Sequence, residues 1–171
     1  CLTQYFTVEE NTPVQTIVGT VIASEPDFNQ TLTYNIVSGN QNNAFSINSN
    51  DGLLKVNNSL ELNFEENPEY KLTISVQDNG EGNLTTFATI IISLIDKNEP
   101  PTIENQIFSV LENSPAGTDI GHVVASDPDN GQLVSYTIAS GNEFNTFSIN
   151  SYTGLLTVSD PTLLIYGLFQ S

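Results

Sequence analysis

Apolar and polar residues alternate along several short stretches of the chain, a period of two that is typical of half-buried β-strands. In residues 86–95 the alternate positions are Ala, Ile, Ile and Leu, and residues 72–77 alternate in the same way. Turn-forming residues separate such stretches, and Asn50-Asp51-Gly52 is the strongest of these signals. No stretch has the period of an amphipathic helix. Seven strands are predicted in the first part of the chain, at residues 5–10, 18–23, 32–36, 45–47, 53–56, 72–77 and 86–95.

The second part of the chain repeats the first. When Gln4 is laid on Gln106, the two copies run without a gap for some fifty positions, through Gly52-Leu53-Leu54, which meets Gly154-Leu155-Leu156. A repeat of this length indicates a tandem array of domains rather than a solenoid of short units. The copy contains counterparts of the first five strands, at residues 107–111, 120–125, 134–138, 147–149 and 155–158.

These patterns predict an all-β fold of tandem Greek-key, seven-stranded β-sandwiches with an immunoglobulin-like architecture. The predicted domains are residues 1–100, which are complete, and residues 101–171, which lack counterparts of the last two strands. Two explanations of the missing strands stay open. Either the chain is a truncated piece, or another chain supplies strands to the open edge by β-augmentation.

The charge of the chain argues against several classes of partner. The net charge is −17, with only three Lys or Arg side chains, all of them lysine. Nucleic acid is not expected as a partner, because phosphate binding needs cationic side chains. Anionic membrane surfaces are disfavoured for the same reason, and no apolar run is long enough for direct membrane insertion. The acids recur at equivalent positions of the two copies, which favours cation binding over a purely solubilising role.

Weak signals are consistent with an extracellular protein. Sequons at Asn29, Asn57 and Asn83 are candidates for N-glycosylation, although a chain rich in Asn, Ser and Thr contains several by chance. The single cysteine, Cys1, permits no disulfide within the chain. Cys1 is interpreted either as a fragment boundary or as the lipid-bearing first residue of a bacterial lipoprotein.

Four motifs at predicted strand ends and loops resemble the motif set of cadherin repeats. They occur in the expected order as VEEN at 8–11, ASEPD at 23–27, DKNEPP at 96–101 and ASDPD at 125–129. The likeness is nearer to the cadherin-like repeats of bacteria and simple eukaryotes than to the vertebrate adhesion type. It covers nearly the whole chain, and it implies an extracellular or cell-surface protein whose tandem domains are joined by calcium.

The resemblance also implies which residues bind calcium between the two domains. Calcium takes six to eight oxygen ligands from carboxylates, amides and carbonyls. The implied ligands are Glu10, Asn63, Glu65, Asp96, Asn98, Glu99, Asp127 and Asp129. A half-site at the opposite end of the first domain is implied to contain Glu25, Asp27 and Asp78. Asn63 and Glu99 stand where the family has Asp, and Pro100 where it has Asn, so fewer or more weakly held ions are expected.

The function predicted from this resemblance is a calcium-rigidified structural or adhesion module, with other cadherin-like domains in cis or trans as partners. One alternative is the subunit of an extracellular filament assembled by strand complementation of the incomplete second domain. Another is a carbohydrate-binding module with aromatic platforms, for which the candidates are Tyr5, Tyr70, Tyr152 and Tyr166. An enzyme is not expected, because the one histidine, His122, lies in a predicted strand and no nucleophile elbow, phosphate loop or Cys/His cluster occurs.

Overall fold

The computed structural model of the chain describes residues 3–165. Cys1, with its two interpretations, and the candidate platform Tyr166 lie outside the described residues. The fold divides into two compact units, Cys1–Asn98 (unit 1) and Glu99–Ser171 (unit 2). In the described part of the chain, no helix has the length and apolar character needed to cross a membrane.

Unit 1 contains seven strands, as the alternating pattern predicts. They are β1 (Gln4–Glu9), β2 (Ile17–Thr20), β3 (Leu32–Ser38), β4 (Phe45–Ile47), β5 (Leu53–Val56), β6 (Glu69–Asp78) and β7 (Thr85–Ile95). One sheet has the order β1-β7-β6-β3 and the other the order β2-β5-β4. β1 is parallel to β7, whereas the other paired strands are antiparallel. The two sheets form the β-sandwich predicted from the sequence.

The core of unit 1 lies between the inner faces of the two sheets. Alternate residues of β6 are buried; Leu72 and Ile74 on this strand, and Ile90 and Ile92 on β7, have no exposed surface. The second sheet contributes the buried residues Phe45, Leu54 and Val56. Burying an aliphatic or aromatic side chain of this size stabilises the fold by about 1.5–3 kcal/mol. The period of two in the sequence therefore decides which face of each sheet enters the core.

The turn before β5 needs a glycine, and the second copy repeats it. Gly52 has a φ of +70°, and a Cβ atom at this position would lie 2.7 Å from the Val21 carbonyl oxygen. Gly154 has a φ of +69°, and its Cβ would lie 2.4 Å from the Val123 carbonyl oxygen. Side chains other than hydrogen rarely fit such a backbone. The turn signal at Asn50-Asp51-Gly52 is therefore confirmed.

The long connection between β5 and β6 packs on itself. It contains a single 3₁₀ turn, Ser59–Glu61, which begins where the Leu60 N–H donates to the Asn58 side chain at 3.3 Å. Leu62 is fully buried, and Phe64 packs against the core. The Tyr70 hydroxyl donates a hydrogen bond to the Glu61 carbonyl. These contacts fix the backbone of the connection on either side of Asn63.

Unit 2 repeats part of this architecture. Its strands are β8 (Thr102–Ile103), β9 (Asp119–His122), β10 (Ala125–Ser126), β11 (Phe147–Ile149) and β12 (Leu155–Val158). The sheet β11-β12-β9 corresponds to β4-β5-β2 of unit 1. The short ladder between β8 and β10 is not predicted from the sequence, and it divides the strand predicted at 120–125 into two pieces.

Two strands predicted in unit 2, at 107–111 and 134–138, are wrong for the described residues, because neither segment forms a strand. Their counterparts in unit 1 are β1, which pairs with β7, and β3, which pairs with β6. The described residues of unit 2 contain no counterpart of β6 or β7. A strand needs a hydrogen-bonding neighbour, so an alternating pattern alone does not form one.

Candidate metal centre

Glu10 is a carboxylate with no exposed surface. It directly follows β1, and its N–H donates to the Ile95 carbonyl at the end of β7 at 3.1 Å. Its Oε2 accepts the Phe64 N–H at 2.9 Å, and its Oε1 accepts the Lys97 N–H at 2.8 Å. Two main-chain donors therefore hold the carboxylate in one orientation, because hydrogen bonds to a charged acceptor are comparatively strong.

Three carboxylates converge at this end of unit 1. One oxygen from each of Glu10, Glu65 and Asp96 lies within 4.8 Å of the other two. The parallel pairing of β1 with β7 places Glu9 opposite Ile95, so Glu10 and Asp96 leave the sheet side by side. Glu65 comes from the long connection, next to the anchored Phe64. Three distant parts of the sequence thus bring their acids to one place.

The charges of this cluster favour a cation. Two like charges at 4 Å repel by about 4 kcal/mol at an effective dielectric constant of about 20, and burying an ionised carboxylate adds to that cost. The Lys97 side chain is directed elsewhere, with its Nζ 3.9 Å from Glu9 Oε2. A divalent cation that prefers oxygen ligands would neutralise the cluster, and calcium tolerates the irregular geometry of such a site.

Two other implied ligands of unit 1 are amides. The Asn63 Oδ1 accepts the Glu66 N–H at 2.9 Å, which closes a turn in the long connection. Asn98 is exposed. The structure therefore gives Asn63 a local role in shaping the loop that carries Glu65.

Unit 2 contains a separate group of carboxylate oxygens. Asp129 is only 5% exposed; its Oδ2 accepts the Glu99 N–H at 2.9 Å and the Gln132 side-chain amide at 2.8 Å. The Asp127 Oδ1 accepts the Asp129 N–H at 3.0 Å. Within the described residues, the buried Asp129 Oδ1 has no hydrogen-bond partner. A buried carboxylate oxygen without a donor is unusual, and a cation would satisfy it.

The role of Gln132 is missed by the sequence analysis, although the internal repeat contains the signal. Gln132 aligns with Gln30, whose side-chain amide donates to Asp27 Oδ2 at 3.4 Å, as that of Gln132 does to Asp129. Comparing the polar residues of the two copies, and not only the acids, would have identified both glutamines as residues that orient an aspartate.

The predicted half-site, Glu25, Asp27 and Asp78, lines one cavity of about 280 Å³ in unit 1. Glu25 Oε1 accepts the Asp27 N–H at 2.8 Å, as Asp127 does for Asp129. The Asp78 Oδ1 accepts the N–H groups of Gly80 and Leu84, each at 3.0 Å. Within the described residues, these three acids do not form a cluster as close as that around Glu10.

The candidate glycosylation sites differ in how they are held. Asn29 and Asn83 are exposed in turns, with φ values of +66° and +45°. The Asn57 side-chain amide instead donates to the Asn43 carbonyl at 2.8 Å. The amide nitrogen that would carry a glycan is therefore already hydrogen-bonded at Asn57.

The aromatic platforms proposed for carbohydrate are not supported. Tyr70 is 2% exposed and packs edge-to-face on Phe45, and burial raises the pKa of its hydroxyl. It is a core residue, so its candidacy is wrong. Tyr5 and Tyr152 are exposed but belong to different units. His122 is an exposed residue of β9, as predicted.

The chain is similar to known proteins that contain cadherin domains. The family model of the cadherin domain matches residues 4–95 and 106–164. Human Cadherin-23 is 38% identical over 92% of the chain, and human Protocadherin Fat 4 is 35% identical over 90%. The chain spans only 5% and 3% of the length of these relatives.

A solved structure shows the same fold. It contains repeats EC22-24 of mouse Cadherin-23, with a TM-score of 0.66 and 29% identity over 93% of this chain and 52% of that one. These three relatives are mammalian proteins.

Proposed function

The chain belongs to the cadherin family, and from this premise we propose that it is an extracellular module in which calcium rigidifies the junction between tandem domains. The domains are residues 1–100 and 101–171, the second being incomplete. Calcium is held by Glu10, Glu65 and Asp96 from the first domain and by Asp127 and Asp129 from the second. Asn63, Asn98 and Glu99 complete the proposed ligand set.

The observation that carries this proposal is the cluster of Glu10, Glu65 and Asp96. Its carboxylate oxygens lie within 4.8 Å of one another, and one of the three side chains is completely buried. Such a cluster is unfavourable without a cation and favourable with one. The Asp129 Oδ1, which has no hydrogen-bond partner in the part of the chain that the structure describes, supports a cation in the same way.

Cadherin relatives are extracellular or cell-surface adhesion proteins, and we assign the same location and role to this module. Its proposed partners are other cadherin-like domains in cis or trans. The acids Glu25, Asp27 and Asp78 form a half-site for a neighbouring domain, and Asn29 and Asn83 are the proposed N-glycan sites. Asn57 is a weaker candidate, because its amide nitrogen is already hydrogen-bonded.

The proposal predicts that calcium narrows the distribution of distances between the two units. Spin labels at Phe28→Cys and Tyr152→Cys, which replace side chains that are 91% and 87% exposed, report this distance once Cys1 is changed to Ser. Pulsed electron resonance should give a narrow distribution in calcium and a broad one in chelator, because a cation bound by both units fixes their angle.

The matched variants for this measurement replace two aspartates of unit 2, one at a time. Asp129→Asn removes a proposed ligand and should keep the distribution broad in calcium. Asp119→Asn removes the charge of an exposed residue of β9 and should leave the calcium response intact. Identical distributions with and without calcium in the parent protein would rule out rigidification of the junction.

A segment of unit 2 that has no partner strand among the described residues favours a second candidate function, assembly by strand complementation. In unit 1, Thr33 pairs with Gln77 and Asn35 with Ser75. Their counterparts Ser135 and Thr137 have no partner strand among the described residues. They border an apolar cavity of about 360 Å³. The occupant we propose is a two-stranded segment with the alternating pattern of β6 and β7, which fills the same position in unit 1.

A synthetic peptide of residues 69–95 tests this second function. It should bind and protect the amide hydrogens of Ser135 and Thr137 from exchange, because both would then donate to the added strand. Thr137→Pro lacks that donor and should weaken binding, while Thr137→Ala should not. Equal binding to the Pro variant, or none to the parent protein, would contradict strand complementation.

A further inference from the structure

The chain contains two Asn-Gly pairs, Asn79-Gly80 and Asn130-Gly131. Asparagine before glycine is the pair most prone to spontaneous deamidation, because glycine has no Cβ to hinder attack by its own nitrogen. In a folded protein the reaction also requires that this nitrogen and the asparagine side chain are free to approach each other. The two pairs can therefore be compared in one molecule.

Hydrogen bonds and close packing restrict the Asn79-Gly80 pair. The Asn79 Oδ1 accepts the Thr31 N–H at 2.8 Å, and the Gly80 N–H donates to Asp78 Oδ1 at 3.0 Å. A Cβ on Gly80 would lie 2.5 Å from the Gln30 side chain. The attacking nitrogen is thus directed away from the asparagine, and the surrounding space is filled.

Asn130-Gly131 is open in each of these respects. Both residues are exposed, and a Cβ on Gly131 would meet no atom within 4 Å. Within residues 3–165, the Asn130 side chain and the Gly131 N–H have no hydrogen-bond partner. The pair forms the middle of a turn whose ends are joined by the Gln132 N–H and the Asp129 carbonyl at 3.3 Å.

We propose that Asn130 is a site of spontaneous deamidation and that Asn79 is protected. The Gly131 nitrogen loses its proton to water and attacks the Asn130 side-chain carbonyl carbon. A carbon–nitrogen bond forms and the bond to Nδ2 breaks. The Nδ2 group takes a proton from water and departs as ammonia, and a succinimide ring remains. Water then opens either carbonyl–nitrogen bond of the ring, which gives aspartate or isoaspartate. No oxidant or reductant takes part.

The modification changes the surroundings of Asp129. Either product adds a negative charge beside Asp127 and Asp129, and isoaspartate also inserts a methylene group into the backbone of the turn. The bond between the Gln132 N–H and the Asp129 carbonyl cannot then keep its geometry, and Gln132 is also the residue that holds Asp129 Oδ2. Resting on the proposed calcium function, this predicts that the isoaspartate form binds calcium more weakly.

Peptide mapping by mass spectrometry tests the site itself. The whole chain is incubated in chelator at mildly alkaline pH and digested at intervals, with a urea-unfolded sample beside it. In the unfolded chain both pairs are free and should convert at similar rates. In the folded chain Asn130 should convert several-fold faster than Asn79. Similar rates at the two sites in the folded chain would contradict the proposal.

A variant separates the modification from its consequence. Asn130→Gln should remove conversion at 130 and leave Asn79 unchanged. After equal incubation, calcium titration should show a lower calcium affinity in the aged parent protein and an unchanged affinity in the aged Asn130→Gln variant. An equal loss of affinity in both proteins would overturn the predicted consequence. Absence of calcium binding even in fresh samples would refute the proposed function, whereas the peptide map alone decides whether Asn130 is the modification site.

Discussion

Replacing Glu10 by Gln should abolish most of the stabilisation that calcium gives to unit 1. A ligand that binds only the folded state stabilises it by about 2.7 kcal/mol when its concentration is about 100 times the dissociation constant. Glu10→Gln keeps the size of the side chain but removes one of the three charges that converge within 4.8 Å. Thermal unfolding in calcium and in chelator measures the difference.

The same variant should respond differently without calcium. The Glu10 oxygens accept N–H groups from Phe64 and Lys97, and a glutamine can accept only one of them, which costs about 1–3 kcal/mol. Relief of charge repulsion offsets part of that cost. The calcium-free Tm should therefore change much less than the Tm in calcium.

The neighbouring residue provides the matched control. Glu9→Gln loses only an exposed ion pair with Lys97, of a kind that contributes about 0–1 kcal/mol. The calcium-dependent rise in Tm should survive in Glu9→Gln and be lost in Glu10→Gln. A full calcium response in Glu10→Gln would exclude Glu10 as a ligand.

Truncating the centre of the core should destabilise unit 1 more than any change at the surface. Ile74 lies on β6 with no exposed surface, and Ile→Ala at such a site costs about 2–5 kcal/mol because a cavity remains. Denaturant unfolding of Ile74→Ala measures this loss. Calcium binding should fail at denaturant concentrations that the parent protein tolerates, because unfolding of unit 1 separates Glu10 and Asp96, which directly follow β1 and β7.

An exposed isoleucine is the control for this variant. Ile22 is 77% exposed, and surface substitutions of this type usually change stability by less than about 0.5 kcal/mol. Equal losses for Ile22→Ala and Ile74→Ala would contradict the assignment of the core to the space between the two sheets.

The period of two in the sequence predicts most of the fold of unit 1, because burial decides which residues alternate. It places Ile90 and Ile92 on one face of β7, and both are buried. The same reasoning fails at 107–111 and 134–138, where the pattern is present but residues 3–165 contain no partner strand. Pairing is a property of two segments, so one segment's pattern cannot establish it.

For the candidate site, the sequence predicts which residues take part but not how the fold holds them. The resemblance to cadherin repeats identifies the acids. In the structure, the parallel pairing of β1 with β7 brings Glu10 and Asp96 together, and the long connection adds Glu65 to the cluster. The burial of Glu10 and its two main-chain donors, by contrast, follow from tertiary contacts with the long connection. The bond that closes the turn at Asn63 is local, because it comes from the Glu66 N–H three residues further on, but the motifs do not specify it either.

The central claim is that this module binds calcium, and a calorimetric calcium titration of the chelator-stripped chain tests it most directly. We expect saturable binding with a dissociation constant of about 10⁻⁴ to 10⁻³ M or tighter, as in extracellular calcium modules, together with a higher Tm in calcium. No heat of binding at millimolar calcium and an unchanged Tm would contradict the account.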